Sequence, residues 1–242
     1  MGEPILSVRG LHKSYGGLHA VRGLDFDVHA GEVFALIGPN GAGKTTTLRI
    51  VATILRASGG SVSVSGLDVA SQPERVREII SYLPEEAGAY KNMSGAAYLR
   101  FVADLFYADR TERDAAIERG RDITGLGERL GDKLGSYSKG MTRKLLLART
   151  LMTQPTLAIL DEPTSGLDVL NALEVRDTIK AQAASGTAVL LSSHNMLEIE
   201  YLSDRVALVD SGLIVASGTP AELKESFGAA NLEEVFAEVA HR

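Results

Sequence analysis

Apolar and polar residues alternate along Leu24-Asp25-Phe26-Asp27-Val28 and along Ser61-Val62-Ser63-Val64-Ser65, a period of two that predicts strands with one buried face. Between them, Glu32-Val33-Phe34-Ala35-Leu36-Ile37 is almost continuously apolar, the pattern of a strand covered on both faces. It runs into a glycine-rich turn and then a predicted helix over 46–55. Pro73 opens a short helix, where its missing N–H costs nothing. Ser94 and Thr111 read as N-caps of two longer helices, Thr111 with Asp114 in a capping-box arrangement. A further helix is predicted over 138–152, ending before Gln154-Pro155. Beyond it come a strand over 156–160, a helix over 170–183, a strand over 187–191, a helix from Met196, and short strands over 206–209 and 213–216. Near the end, Leu232, Val235, Phe236 and Val239 recur at helical spacing, predicting a helix over 231–242 that packs on the core or docks a partner. Such alternation implies a mainly parallel sheet with helices packed on it.

A length of 242 residues, 45% of them hydrophobic, is ample for one large α/β domain. The formal net charge of -6 leaves no basic excess to neutralise a phosphate backbone, so no nucleic-acid partner is expected. The absence of cysteine excludes a disulfide scaffold, a thiolate nucleophile and a thiolate metal site. The longest apolar runs, such as Leu145-Leu146-Leu147-Ala148, fall far short of the ~20 residues of a membrane-crossing helix. Met1-Gly2-Glu3-Pro4 lacks the basic start of a signal peptide, so a cytoplasmic protein is expected.

The glycine-rich turn carries the first specific chemistry. Gly38-Pro39-Asn40-Gly41-Ala42-Gly43-Lys44-Thr45 matches a phosphate-binding loop, placed as that loop requires between a buried strand and a helix. Glycines let backbone N–H groups curl round a phosphate at a helix N-terminus without Cβ clashes. Lys44 sets a compact positive charge against the β- and γ-phosphates, and Thr45 offers a hydroxyl to Mg²⁺, which prefers oxygen ligands. Gly38, Asn40, Gly41, Ala42, Gly43, Lys44, Thr45 and Thr46 are therefore the expected ATP-binding set. A glycine turn that binds nothing is the bland alternative. The spacing arises by chance in roughly one chain in a hundred of this length, before the strand–loop–helix context is counted.

Leu157-Ala158-Ile159-Leu160-Asp161-Glu162 reads as a buried strand ending in two carboxylates. There Asp161 can hold Mg²⁺ and Glu162 can orient and deprotonate an attacking water. The pair could also merely cap the turn at Pro163; beside a phosphate loop, the catalytic reading prevails. His194 follows the strand Ala188-Val189-Leu190-Leu191 and Ser192-Ser193, so it emerges where a γ-phosphate would lie.

In this order the elements resemble the ABC-type ATPases over almost the whole chain. Tyr15 sits where that family places an aromatic on adenine, although it could be a half-buried ring at a hairpin turn. Leu83-Pro84-Glu85 falls at the glutamine loop and Tyr137-Ser138-Lys139-Gly140-Met141 at the signature. Asp161 and Glu162 match the Walker B pair, Ser165-Gly166-Leu167-Asp168 the D-loop and His194 the switch histidine. The resemblance implies a P-loop NTPase (RecA-like) α/β core sheet with an N-terminal antiparallel β-subdomain and an inserted α-helical subdomain. A single domain over 1–242 is expected, with core and β-subdomain at 1–85 and 153–230, a helical subdomain at about 86–152, and the terminal helix. It further implies a homodimer or heterodimer of ATPase subunits closing on ATP and Mg²⁺. Ser138 and Gly140 would meet the partner's ATP, His194 the γ-phosphate, and Glu85 the metal or lytic water. Integral membrane permease subunits would hold the dimer at the inner face of the cell membrane.

Two elements depart from the family's common form. Glu85 stands where glutamine is usual and adds negative charge near the γ-phosphate. In the signature, Tyr137 replaces leucine, Lys139 a glycine and Met141 a glutamine. Lys139 either offsets Glu85 near one shared ATP in the closed dimer or points into solvent, leaving Glu85 as a water-bridged metal ligand. The combination resembles an exporter-type group that includes sodium-efflux and drug-efflux ATPases. A soluble ABC ATPase serving as an assembly scaffold is the rival reading.

Overall fold

The computed structural model describes residues 2–88 and 90–240, so the last two positions of the predicted terminal helix lie outside the described residues. The strands are β1 (Leu6–Tyr15), β2 (Leu18–Val28), β3 (Val33–Ile37), β4 (Gly59–Val64), β5 (Leu67–Asp68), β6 (Ile80–Leu83), β7 (Leu157–Asp161), β8 (Ala188–Ser193), β9 (Arg205–Asp210) and β10 (Leu213–Gly218). The α-helices are α1 (Lys44–Val51), α2 (Pro73–Ile79), α3 (Gly95–Phe106), α4 (Arg110–Thr124), α5 (Lys139–Leu151), α6 (Val169–Ala184), α7 (Met196–Leu202), α8 (Pro220–Phe227) and α9 (Leu232–Ala240).

Two sheets result. One has four strands in the order β2-β1-β4-β5, the other six in the order β10-β9-β3-β8-β7-β6. The larger is parallel from β9 through β6, with β10 antiparallel at its edge. Parallel strands bring their carboxyl ends to one side, the side on which open α/β sheets bind ligands.

The continuous apolar run of β3 is explained by its two neighbours. Val33, Ala35 and Ile37 enter a core shared with the helices, whereas Phe34 and Leu36 enter a second core beneath the four-stranded sheet. Phe34 stacks on Phe26 of β2 at 5.2 Å between ring centroids, joining the two sheets. Helices α3, α4 and α5 fall between β6 and β7 in the chain and bury Leu99, Ile117 and Leu146 in the first core. Leu232 and Val235 of α9 are fully buried there too, each worth about 1.5–3 kcal/mol by burial. The terminal helix therefore packs on the core.

Three local expectations need correction. Helix α1 begins at Lys44 and stops at Val51, short of the predicted 55, because Thr53 turns left-handed (φ 63°) and the Ile54 and Leu55 N–H groups both return to the Arg49 carbonyl. Helix α4 is capped by Asp109, whose carboxylate accepts from the Thr111 and Glu112 N–H groups, and not by Thr111. A carboxylate at a helix N-terminus also gains from the helix dipole, which favours it over the hydroxyl two residues on. Strands β1 and β6 and helix α8 were absent from the sequence pattern; α8 carries a complete Thr219–Glu222 capping box with Pro220 at its first turn.

Candidate active site

The loop joining β3 to α1 is shaped by close backbone approaches. A Cβ on Gly38 (φ 155°) would strike the carbonyl oxygen of Val209 in β9, and one on Gly43 (φ 103°) that of Ala20 in β2. Only glycine satisfies both. Gly43 is also the N-cap of α1, and no side chain caps that turn, so its first N–H groups face the loop as an anion site. Ala42 is buried at the base, while Asn40 and Gly41 stand exposed at the crown and Thr46 is partly covered.

Lys44 is buried and donates to the carbonyls of Gly38 (2.7 Å) and Pro39 (3.0 Å). Burial pulls its pKa down, opposed by the charges of Glu162, Asp161 and Glu85. Its ammonium thus sits in the field of three carboxylates, inside the loop.

Asp161, at the end of β7, is fully buried and accepts three hydrogen bonds. Thr45 Oγ1 donates to Oδ1 at 3.0 Å, Ser192 Oγ to Oδ1 at 2.6 Å and Tyr82 Oη to Oδ2 at 3.2 Å. The Tyr82 phenol is pushed up to about 12, by burial first and by the Asp161 charge next. Glu162 follows with a left-handed backbone (φ 49°), its N–H donating to the carbonyl and hydroxyl of Ser192, 3.2 Å to each. Burial raises its carboxyl pKa; the hydrogen bond and charge of His194 act against this. His194 Nδ1 lies 2.9 Å from Glu162 Oε2. The ends of β3, β7 and β8 therefore bring Lys44, Thr45, Asp161, Glu162 and His194 to one place.

The remaining predicted residues surround this centre. Tyr15 ends β1 with its ring half-exposed and Lys13 Nζ 5.0 Å from the ring centroid. The hairpin it closes continues into Ala20, whose carbonyl abuts the phosphate loop at Gly43. Ser138 is the N-cap of α5, accepting from the Met141 N–H at 3.1 Å. Gly140 is buried against Asn171 of α6, where a Cβ would collide with the amide. Glu85 is exposed on the segment after β6 and, with Lys139 and Ser165, lines one cavity of about 740 Å³ within a single chain. The Lys139 ammonium packs onto Gly166.

Three side chains at the site escaped the sequence pattern. Tyr82 and Ser192 hold Asp161, as described. Arg143, on α5, is buried and donates to the strand ends that carry Glu85 and Glu162. Its signal was available: it lies on the apolar stripe of α5, between Gly140 and Leu147, where a charge is out of place.

Among the described residues no three His, Cys, Asp or Glu form a metal cluster. The Thr45 hydroxyl and Asp161 carboxylate nonetheless fit Mg²⁺, a hard cation commonly held by one or two protein oxygens together with nucleotide phosphates and water. Nor is any helix among the described residues long and apolar enough to cross a membrane.

Comparison with known proteins agrees with this geometry. A family profile described as ABC transporter matches residues 21–165. A daunorubicin/doxorubicin resistance ATP-binding protein of Streptomyces peucetius is 42% identical over 224 residues, covering 92% of this chain and 68% of that protein. A fluoroquinolones export ATP-binding protein of Mycobacterium tuberculosis is 39% identical over 229 residues, covering 93% and 74%. The solved structure of an ATP-binding subunit of an ABC transporter superposes with a TM-score of 0.87 at 30% identity, covering 98% of this chain and 99% of that one. The chain belongs to the ABC transporter family, as an ATP-binding and ATP-hydrolysing subunit.

Proposed function

We propose that this subunit drives export, closing with a second ATPase subunit around ATP and Mg²⁺ and passing that closure to separate membrane subunits. The observation that carries the reading is the convergence of Lys44, Thr45, Asp161, Glu162 and His194 at the carboxyl ends of parallel strands. Export is supported by the names of the relatives above, which concern drug resistance and fluoroquinolone export.

In this reading the phosphate loop binds the triphosphate through its N–H groups and Lys44, and Tyr15 stacks on the adenine. Thr45 and Asp161, together with Glu85, would hold Mg²⁺, which when bound would supply positive charge to the phosphates. Glu162 accepts a proton from the attacking water as its oxygen bonds to the γ-phosphorus. The bond from that phosphorus to the bridging oxygen breaks, leaving ADP and phosphate. His194 orients the Glu162 carboxylate and faces the γ-phosphate. Ser138 and Gly140 of one protomer address the ATP of the other.

The membrane subunits dock on the exposed apolar surface formed by α3 and by Tyr90 in the segment before it. Tyr90, Phe101, Leu105 and Phe106 are 60%, 40%, 68% and 54% exposed, and Tyr90 and Phe101 meet edge to face at 5.8 Å. So much apolar area in one place marks an interaction surface. The subunit then sits at the cytoplasmic face of the membrane through these partners.

Light scattering on Glu162→Gln in saturating MgATP tests the mechanism. A dimer that forms with MgATP and dissociates on its removal is expected; a monomer throughout would overturn the closing-dimer reading. Isolation of the chain from membranes without any polytopic partner would favour the scaffold alternative.

A further inference from the structure

Arg143 is 7% exposed, and its five N–H donors are matched by five main-chain carbonyls. Nε donates to Pro163 O at 2.7 Å, Nη1 to Pro84 O at 3.0 Å and Glu85 O at 3.1 Å, and Nη2 to Asp161 O at 2.8 Å and Glu162 O at 2.6 Å. None of the acceptors is a carboxylate. A guanidinium keeps its charge even when buried, so this site holds a cation by carbonyl dipoles and by the more distant charges of Asp161, Glu85 and Glu162. The planar fork joins two separate pieces of chain, the segment leaving β6 and the end of β7, to helix α5.

We propose that Arg143 is a positioning residue for hydrolysis, holding the Glu85 segment and the Glu162 peptide in catalytic register only while the signature helix α5 is seated against them. The proposal rests on the reading of Glu162 as the base. Glu162 is the residue most in need of such a hold. Its left-handed backbone is unfavourable for a side chain larger than glycine, and its peptide is fixed at the nitrogen by Ser192 and at the oxygen by Arg143. Ser138 caps α5 and Gly140 lies in its first turn, so whatever moves the signature moves Arg143. Lysine cannot substitute: three donors on one nitrogen do not reach five carbonyls spread round a plane.

The test uses the full chain carrying Arg143→Lys or Arg143→Met, with kcat and KM for MgATP and the Kd of a fluorescent ATP analogue measured beside the wild type. A misplaced reacting group costs on the order of 100-fold, and we expect kcat to fall by about that factor in both variants. The Kd should stay within about threefold, because the phosphate loop and Tyr15 are untouched. In a Glu162→Gln background, Arg143→Lys should lower the residual rate no further. Wild-type kcat in Arg143→Lys overturns the proposal, as does a Kd that weakens in step with kcat. Hydrogen exchange on the wild type covers the case of variants that do not fold. On adding a non-hydrolysable ATP analogue, the amides of residues 85–88 and 162–167 should change protection together, and independent responses reject the link. Full activity in Glu162→Gln would remove the base reading and this proposal together, whereas loss there with full activity in Arg143→Lys rejects Arg143 alone.

Discussion

His194 Nδ1 and Glu162 Oε2 lie 2.9 Å apart, with the imidazole half-exposed and the carboxylate almost enclosed. The pair spans the border between the buried sheet and the solvent-facing surface. One side of Glu162 is thereby held by a ring that solvent or a phosphate can reach, and the other by the buried strand end. A change at the histidine is felt directly by the carboxylate.

Glu162→Gln keeps the side chain's shape but cannot accept the proton of water. Loss of a general base costs ~10²–10⁴ in rate, so kcat should fall by that order while MgATP binding persists. His194→Ala should lower kcat as well. Steady-state phosphate release alongside equilibrium nucleotide binding checks both, and wild-type turnover in Glu162→Gln would remove the residue from the mechanism.

Lys44→Ala deletes the one ammonium placed inside the phosphate loop, and Asp161→Asn removes the charge on which Thr45, Ser192 and Tyr82 converge. ATPase activity should be abolished in each. Asp161→Asn should in addition lose the dependence of nucleotide affinity on Mg²⁺, measured by titration with and without a chelator. Undiminished hydrolysis in either variant would contradict the site.

Tyr15→Ala should weaken ATP by about 1–3 kcal/mol, the scale of one base–aromatic stack, and Tyr15→Phe should be nearly neutral. Calorimetric affinities that match among all three proteins would return Tyr15 to its role as the ring that closes the β1–β2 hairpin.

Glu85 and Lys139 line one cavity inside a single chain, so a coupling between them can be sought in the monomer. The expectation that they lie near one ATP in the closed dimer is joined by this nearer relationship within one chain. Glu85→Gln, Lys139→Gly and the double variant should show a coupling of ~0.5–3 kcal/mol in MgATP binding at protein concentrations where the subunit is monomeric. Additive effects there would leave Lys139 as a side chain that only packs on Gly166.

How far the sequence speaks depends on distance along the chain. The phosphate loop, the Asp161–Glu162 strand end and His194 are each local patterns, a few consecutive residues whose types and flanking strands suffice to place them. The central sheet is legible for the same reason, since β3, β7 and β8 are apolar runs hidden on both faces. Arg143 is different: its place on the apolar stripe of α5 marks it as buried, but its acceptors lie 18 to 59 residues away, so no local pattern says what it holds. Ser192 reads in sequence only as the approach to His194, because its bond to Asp161 crosses from β8 to β7. Strand β6 hides in Ile80-Ser81-Tyr82-Leu83, directly after a helix with no turn residue between them. At the start of α4, the Asp109 carboxylate two residues before the Thr111 hydroxyl is the stronger cap.

The backbone at Glu162 sets folding against turnover. With φ at 49°, it occupies a region that costs an ordinary residue of order 1–3 kcal/mol and costs glycine little. The same residue also buries a carboxylate whose pKa is raised because its charge is poorly accommodated there. Both terms vanish in Glu162→Gly, which should melt at a higher temperature than the wild type while hydrolysing almost nothing, a comparison that thermal unfolding and phosphate release make directly. A higher melting temperature together with lost turnover would mean that this one position sets stability against the proposed reaction, so that neither can be improved there without the other.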